Sequence, residues 1–383
     1  MSAIDTLLAQ EFSLEKDLIY LNHAAVSPWP ARTAAAVTRF ANENLTQGSM
    51  HYPQWVKTET ALRQKLQRLV NAPSVDDIAL LKNTSEALSV VAYGLDWRKG
   101  DNIVISDQEF PSNRVVWESL RTFGVEVRKA HIDMQSNTPE QALLTACDHR
   151  TRLLAISSIQ YATGFRVDLE TLGYYCRMND ILFCVDAIQS IGAVNFDVQA
   201  IAADFVMADG HKWMLGPEGV ALFYCAAQHR ERLKLHQFGW HMLENMTDYE
   251  SQEWHPCHTA RRFECGSPNM LGIHALDASL SLLVEIGITE VEARVIERAE
   301  LMMAAIHEAT NLELVTPDSP GRYGAIVAFR HKHLSAEQCQ AQLNGQKVMC
   351  AARGGFIRYS PHCYTPLTAI GEALEKVNHL TAT

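Results

Sequence analysis

A single lysine stands where an apolar run gives way to a polar segment. Lys212 lies in the sequence Ala-Asp-Gly-His-Lys-Trp that spans 208–213, directly after the run 204–207. A strand that ends there would place the lysine at the ligand-binding edge of a sheet. A lysine amine that is partly deprotonated can form an imine with an aldehyde. The alternative is a solvated lysine on the surface.

A carboxylate ends a second apolar run. Asp186 follows the residues 181–185, so it would reach the same edge of a parallel sheet. A carboxylate there can keep the ring nitrogen of pyridoxal 5′-phosphate (PLP) protonated, which lets the ring accept electrons. Gln189 would share a helical face with Asp186 and could reach the ring hydroxyl. The alternative is that Asp186 caps the next helix.

Other segments offer groups for a phosphate, a flat ring and a carboxylate. Thr84 and Ser85 open an apolar-periodic stretch, and hydroxyls at a helix N-terminus favour a phosphate. Phe110 follows the run 103–106, where an aromatic ring could lie against a cofactor. Either guanidinium of Arg353 and Arg358 could bind a carboxylate through two hydrogen bonds. A plain helix cap, core packing and surface solvation are the respective alternatives.

Short apolar runs alternate with amphipathic stretches in the middle of the chain. The predicted strands are 103–106, 153–157, 182–186, 205–208 and 220–224. Helices are predicted at 113–122 and 169–178. This alternation predicts an α/β fold with a mainly parallel sheet, whose ligands bind beyond the carboxyl ends of the strands.

The last third of the chain has a different pattern. The predicted elements there are helices at 270–284 and 289–309 and strands at 326–329, 348–350 and 356–359. We therefore expect an N-terminal arm (1–19), a large domain (20–265) and a small α+β domain (266–383). The aperiodic segment 238–262, with Trp240, His241, His255 and His258, is predicted to be a long loop that shapes the substrate pocket.

Composition excludes several classes of partner. The 383 residues carry a formal net charge of −11, which argues against a nucleic-acid partner. No run approaches about 18 unbroken apolar residues, and residues 1–16 lack a signal-sequence pattern, so we expect a cytoplasmic protein without a membrane partner. The nine cysteines form no CxxC pair, which predicts free thiols and no metal site.

In order and spacing, these segments resemble the class V aminotransferase family of fold-type I PLP enzymes. That family includes cysteine desulfurases, selenocysteine lyases, isopenicillin N epimerase and kynureninase. The resemblance runs from Tyr-Leu-Asn-His-Ala-Ala at 20–25 to Ile-Arg-Tyr-Ser-Pro-His at 357–362. It implies a large domain with a mainly parallel seven-stranded sheet, a small C-terminal α+β domain and PLP held as a Schiff base on Lys212.

The resemblance also implies a role for individual residues. Asp186 matches the partner of the pyridine nitrogen and Gln189 the donor to the ring oxygen. The other matches are Thr84, Ser85 and His211 for the phosphate, Phe110 and Tyr161 beside the cofactor, and Arg358, Asn22 and Ala24 for the substrate. Ser267, in the segment 263–269, matches a residue that binds the phosphate of the partner subunit. A homodimer with shared active sites is therefore implied.

Three departures from the desulfurase pattern bear on the reaction. Phe110 stands where desulfurases place a histidine over the ring. The segment 348–358 is too short for their catalytic-cysteine loop, and Cys350 is expected in the core. Asp209 stands where they have a phosphate-binding serine, and we expect it to point away from the phosphate.

These features favour transamination or β-elimination (C–S or C–C lyase chemistry) of an amino acid whose α-proton is taken by Lys212. Cysteine desulfuration, selenocysteine lysis and epimerisation are the alternatives. A PLP-binding protein without turnover is a more remote one.

Overall fold

The computed structural model of the chain describes residues 2–381. Met1, the first residue of the predicted arm, and residues 382 and 383 lie outside the described residues. The helices are α1 Ala3–Glu11, α2 Ala31–Gln47, α3 Tyr52–Leu69, α4 Thr84–Gly94, α5 Ser112–Glu118, α6 Gln141–Ala146, α7 Leu169–Met178, α8 Ala227–Arg230, α9 Met270–Ile286, α10 Ile288–Glu308, α11 Ala336–Gly345 and α12 Leu367–Asn378.

The strands form one large and one small sheet and a two-stranded pair. They are β1 Ile19–Tyr20, β2 Ile78–Leu81, β3 Asn102–Ser106, β4 Glu126–Ala130, β5 Thr151–Ser157, β6 Leu182–Asp186, β7 Phe205–Asp209, β8 Ala221–Cys225, β9 Leu312–Leu314, β10 Val327–His331, β11 Val348–Met349, β12 Ala351–Arg353 and β13 Phe356–Tyr359.

The large sheet has seven strands in the order β2-β8-β7-β6-β5-β3-β4. Only β8 runs antiparallel to its neighbours, β2 and β7. Every residue of β3, β7 and β8 is buried. Helices cover both faces of such a sheet, which explains why its strands read as unbroken apolar runs. The predicted α/β fold with a mainly parallel sheet is confirmed.

The small sheet is antiparallel throughout, in the order β12-β13-β10-β9. The chain start joins this part, because β1 pairs with β11 and Leu21 lies in the same core as Val327. Conversely, α9 packs against α2 and α3 and contributes to the large core. The domain boundaries after residues 19 and 265 stay predictions. The chain start packs with the small sheet and α9 packs with the large core, so each part includes a segment from beyond its predicted boundary.

Several local predictions need correction. The helix predicted at 113–122 ends at Glu118 and continues as a 3₁₀ turn, Ser119–Phe123. The segment 187–190 forms turns instead of a helix, so Asp186 caps no helix. The strand predicted at 348–350 is only the two-residue β11, and a separate strand with a different partner, β12, begins after Cys350.

No single helix within residues 2–381 is long and apolar enough to cross a membrane. One pair of helices, α9 and α10, satisfies that test by length and composition only, and is bent by 83°.

Candidate active site

Lys212 lies in a cavity of about 280 Å³ beyond the carboxyl ends of β6 and β7. Eleven of the residues proposed from the sequence line it, namely Ala24, Thr84, Ser85, Phe110, Tyr161, Asp186, Gln189, His211, Lys212, Arg353 and Arg358. Residues that the sequence reasoning did not assign to the site also line it, among them Ser112 and Glu218. Ser112 could have been found, because it lies in the polar segment that follows β3.

The two strand ends bring the lysine and the carboxylate together. Asp186 is the last residue of β6 and pairs with Met207 of β7, three residues before Gly210. The Gly210 N–H donates to the Val220 oxygen at 2.9 Å, and an added Cβ would lie 2.9 Å from that oxygen. A glycine therefore lets the chain turn tightly after β7 and direct Lys212 back into the cavity.

Burial shifts the pKa of both Lys212 and Asp186. Lys212 is 9% exposed and Asp186 2% exposed. Burial lowers the pKa of Lys212, which favours the free amine, while the charge of Asp186 opposes that change. Burial likewise raises the pKa of Asp186, whose carboxylate accepts one hydrogen bond, from the Ile188 N–H at 3.1 Å. A cation held against Asp186 would restore its charge, so the carboxylate suits a protonated ring nitrogen.

The N-terminus of α4 supplies groups suited to a phosphate. Thr84 is buried, and its Oγ1 has no hydrogen-bond partner among the described residues. The Ser85 hydroxyl donates to Ser112 Oγ at 2.8 Å. An unsatisfied buried hydroxyl at a helix N-terminus indicates that a polar ligand completes this site.

The expectation that Asp209 points away from this site is wrong. Asp209 is buried and lines the cavity beside His211. One of its carboxylate oxygens lies 3.2 Å from His211 Nδ1, and neither atom has a hydrogen-bond partner among the described residues.

Two aromatic residues form one wall of the cavity. The Phe110 and Tyr161 rings meet edge to face, with centroids 5.2 Å apart, and Lys212 Nζ lies 5.7 Å from the Phe110 centroid. Gln189 also lines the cavity, where its amide nitrogen donates to the Ala24 oxygen at 3.1 Å and its oxygen accepts from Trp213 Nε1 at 2.9 Å. The amide keeps one hydrogen free for a ring oxygen.

A buried glutamate that the sequence does not indicate as a site residue holds this wall in place. Glu109 accepts hydrogen bonds from the Ser157 main chain and hydroxyl, from Gln160 Nε2 and from Asn113 Nδ2. Burial raises its pKa, and these hydrogen bonds partly oppose the change. Because Glu109 precedes Phe110 and Gln160 precedes Tyr161, one carboxylate fixes the backbone beside both rings.

Arg358 enters the cavity from the small sheet. It is 2% exposed, and its Nη1 donates to the Tyr161 oxygen at 2.7 Å. Its Nε has no partner among residues 2–381. Burial, and next the charge of Arg353, lowers the pKa of Arg358, as expected for a cation without a counter-ion. A carboxylate is the ligand that would satisfy it.

A model of the family described as Aminotransferase class-V matches residues 19–373. The chain belongs to the class V aminotransferase family. Class V enzymes depend on PLP, so the sequence predictions of family, enzyme and cofactor are confirmed. The residues fit that cofactor, because a buried lysine, an uncompensated carboxylate and an unpartnered threonine hydroxyl meet in one cavity.

Similar proteins carry related names. A probable cysteine desulfurase of Methanothermobacter thermautotrophicus is 30% identical, and the match covers 96% of each chain. An uncharacterized aminotransferase of Bacillus subtilis is 28% identical over 84% of this chain and 83% of its own. In fold, the chain resembles the apo cysteine desulfurase of Thermococcus onnurineus, with a TM-score of 0.86, 22% identity and coverage of 98% and 97%.

The fold also matches a cystine C–S lyase. That structure is a complex of the lyase with its reaction product, cysteine persulfide. The TM-score is 0.88 at 21% identity, and the match covers 96% of this chain and 99% of the other. At this identity the likeness shows the fold, and the predicted fold type is confirmed.

Two predicted site residues of this class V chain lie outside the cavity. Asn22 forms a bridge to Ser360, and its side-chain oxygen is buried without a partner among the described residues. Ser267 is exposed and accepts from Trp240 Nε1 at 3.4 Å. An exposed Ser267 remains free to reach another subunit.

The loop 238–262 does not line the cavity of its own chain, and its role in shaping the substrate pocket stays a prediction. His241 is buried with Nδ1 3.6 Å from Glu264, and Arg63 pairs with both Glu59 and Glu264. Glu59, His241 and Glu264 lie close enough to share a metal ion, but the Arg63 guanidinium already takes both carboxylates. This network fixes the chain two residues before Gly266.

All nine cysteines are free thiols, and none of them lines the cavity. Cys350 and Cys363 are each 1% exposed, and burial raises the pKa of both thiols to about 12. A thiol with a raised pKa is a poor nucleophile. Cys265 is partly exposed, and its Sγ lies 3.3 Å from Gln237 Oε1.

A larger cleft, of about 650 Å³, lies at the opposite edge of the sheet. Arg177, Asp204 and His229 line it, and no lysine in the described part of the chain does. Since a Schiff base requires a lysine, the smaller cavity is the candidate active site.

Proposed function

We propose that this class V enzyme is a β-lyase that cleaves the Cβ–S bond of a sulfur-containing amino acid without passing the sulfur to one of its own cysteines. The observation that carries the proposal is the composition of the cavity around Lys212, which no thiol within residues 2–381 lines. The cysteine desulfurase names of the relatives and the C–S lyase among the fold matches support sulfur chemistry at the β-carbon.

The roles expected for Arg358, Lys212 and Asp186 suit β-elimination. Arg358 would bind the α-carboxylate and orient the substrate. Lys212, whose pKa burial lowers, would take the α-proton as general base. Asp186 would hold a proton on the ring nitrogen, and bound PLP supplies an electron sink for the charge left at the α-carbon.

The products follow from the bonds that break. Loss of the α-proton and of the sulfur with its bonding electrons leaves a double bond between the α- and β-carbons. Hydrolysis then gives pyruvate and ammonia, and the sulfur leaves as a thiol or persulfide according to the substrate. The balance requires water and no external oxidant or reductant.

Cysteine desulfuration through a protein persulfide is the second candidate, because the relatives bear that name. The short hairpin before Arg358 argues against this reaction. Gly354 and Gly355, with φ of 60° and 80°, close β12 and β13 into a two-residue hairpin, which leaves no room for a cysteine loop before Arg358.

The test is a product assay on cystine and cysteine. We expect pyruvate and ammonia in equal amounts, and cysteine persulfide from cystine. The variants Cys350→Ala, Cys363→Ala and Cys265→Ala should each keep most of this turnover. Alanine as the carbon product, together with a persulfide on a protein cysteine and loss of activity in one variant, would establish desulfuration instead.

Two further properties belong to the proposal. The enzyme would act as a homodimer, in which Ser267 of each subunit serves the other's cofactor phosphate. It would work in the cytoplasm, as its free thiols and the composition of the chain predict.

A further inference from the structure

The hairpin that carries Arg358 presents a second arginine to the cavity. In the register of β12 and β13, Ala351 is opposite Arg358 and Arg353 is opposite Phe356. Residues that are paired, or two apart on one strand, share a face of a sheet, so Arg353 and Arg358 lie on the same face. Their Cα atoms are diagonal neighbours, roughly 7–8 Å apart.

The surroundings leave both arginines room for a ligand. Arg358 is flanked across the sheet by two small residues, Ala351 on β12 and Ala328 on β10. Both guanidinium-bearing residues line the cavity that holds Lys212. A Cβ added to Gly354 would lie 3.2 Å from the Ala162 side chain, so the hairpin turn packs beside the segment that follows Tyr161.

Neither arginine has an anionic partner among residues 2–381. The carboxylates that line the cavity are Asp186, Asp209 and Glu218, and none forms a salt bridge with Arg353 or Arg358. Arg353 is exposed, and its one hydrogen bond goes to the neighbouring Ala352 oxygen. Two unpaired cations therefore face one cavity in a chain of net charge −11.

One α-carboxylate accounts for only one of these cations. We propose that Arg353 is a specificity-determining residue that binds a second anionic group at the distal end of the substrate side chain. The preferred substrates are then cysteine derivatives, linked through a disulfide or thioether, that end in a carboxylate. Cysteine itself carries no such group. The inference deepens the proposed lyase function and rests on it for the reaction.

The test compares two substrates that differ only in charge, S-(2-carboxyethyl)-L-cysteine and its amide S-(2-carbamoylethyl)-L-cysteine, by release of pyruvate. The wild-type enzyme should prefer the acid. Arg353→Gln should raise KM for the acid about 10- to 100-fold, the range for a lost charge-assisted hydrogen bond, and leave the amide unchanged. Arg353→Lys should restore part of the preference.

Arg330 provides a matched control. It is exposed, lies on the same sheet face with its guanidinium 4.9 Å from the Phe356 ring, and does not line the cavity. Arg330→Gln removes the same charge and should leave both KM values unchanged. Equal losses on acid and amide in Arg353→Gln, or no preference in the wild-type enzyme, would overturn the inference.

A binding measurement separates this inference from the proposed reaction. Calorimetric titration of the PLP-loaded enzyme with glutarate and with its monoamide requires no turnover. Tighter binding of glutarate that is lost in Arg353→Gln supports the second anion site even where no C–S bond is cleaved, which would refute only the lyase proposal. Pyruvate release together with equal binding of both probes refutes the anion site and leaves the lyase proposal standing.

Discussion

The Nε2 atom of His362 lies 3.1 Å from the main-chain oxygen of Trp213, the residue after Lys212. Its Nδ1 accepts a hydrogen bond from the Cys363 N–H at 2.8 Å. One ring nitrogen therefore donates while the other accepts, which requires a neutral imidazole. This buried histidine joins the segment that follows Arg358 to the segment that carries Lys212.

This contact predicts a loss of stability in mild acid. Burial lowers the pKa of His362 to about 4, whereas an unfolded histidine titrates near about 6.5. The unfolded state thus binds a proton at a higher pH than the folded state does. The stabilisation is complete above about pH 6.5 and falls by up to about 3 kcal/mol as the pH drops towards 4.

Urea unfolding at pH 7, 6 and 5, at one protein concentration, measures this effect. His362→Gln cannot titrate, so its free energy of unfolding should change less with pH than that of the wild type. His149→Gln, a change at an exposed residue, should follow the wild type. Parallel pH curves for His362→Gln and the wild type would show that acid sensitivity arises elsewhere.

Lys212 should carry the cofactor covalently. Purified protein should be yellow, and borohydride should fix reduced cofactor on the peptide that contains Lys212. Lys212→Ala should lose that attachment and all turnover. Lys82→Ala, at an exposed lysine outside the cavity, should retain both. Reduced cofactor on any other peptide would remove Lys212 from its central role.

Asp186→Asn should retain PLP but impair removal of the α-proton. The amide cannot hold the ring nitrogen protonated, so exchange of the α-proton with deuterated solvent should slow by about 100-fold or more. Asp76→Asn, at an exposed carboxylate, serves as the control and should exchange at the wild-type rate. Normal exchange in Asp186→Asn would reduce this carboxylate to a turn-forming residue that binds the Ile188 N–H.

The sequence indicated much of the site because strand ends are a local signal. The apolar runs that end at Asp186 and before Lys212 are buried on both faces of the sheet, so they appear without structural information. The parallel order of β6 and β7 then brings the two residues to one edge. Thr84 was predictable for a similar reason, since a helix start can be recognised from the residues around it.

Other features of the fold and the site depend on contacts that form only in the folded chain, so the sequence does not indicate them. β1, near the start of the chain, pairs with β11, near its end, through only two residues of each strand, which is too short for a periodic pattern. Asp209 lines the cavity beside His211, whereas repulsion between its charge and a phosphate predicts the opposite. Glu109 gives no sequence signal of its role, because an acid after a strand usually faces solvent, whereas four groups donate hydrogen bonds to it here.

Ser267 should act on the active site of the other subunit. It is exposed and lies outside the cavity of its own chain. Ser267→Asp would place a negative charge against the partner's phosphate and should abolish activity by weakening PLP binding. Sedimentation should find the active wild-type enzyme to be a dimer, and an active monomer would rule the shared site out.

Mixing two inactive variants distinguishes action across the interface from action within one chain. In a mixed dimer of Ser267→Asp and Lys212→Ala subunits, one site combines the intact Lys212 of the first with the intact Ser267 of the second. Activity should therefore return after the two proteins are unfolded and refolded together, while each variant refolded alone stays inactive. If Ser267 served its own subunit, every site in the mixture would carry one defect and no activity would return.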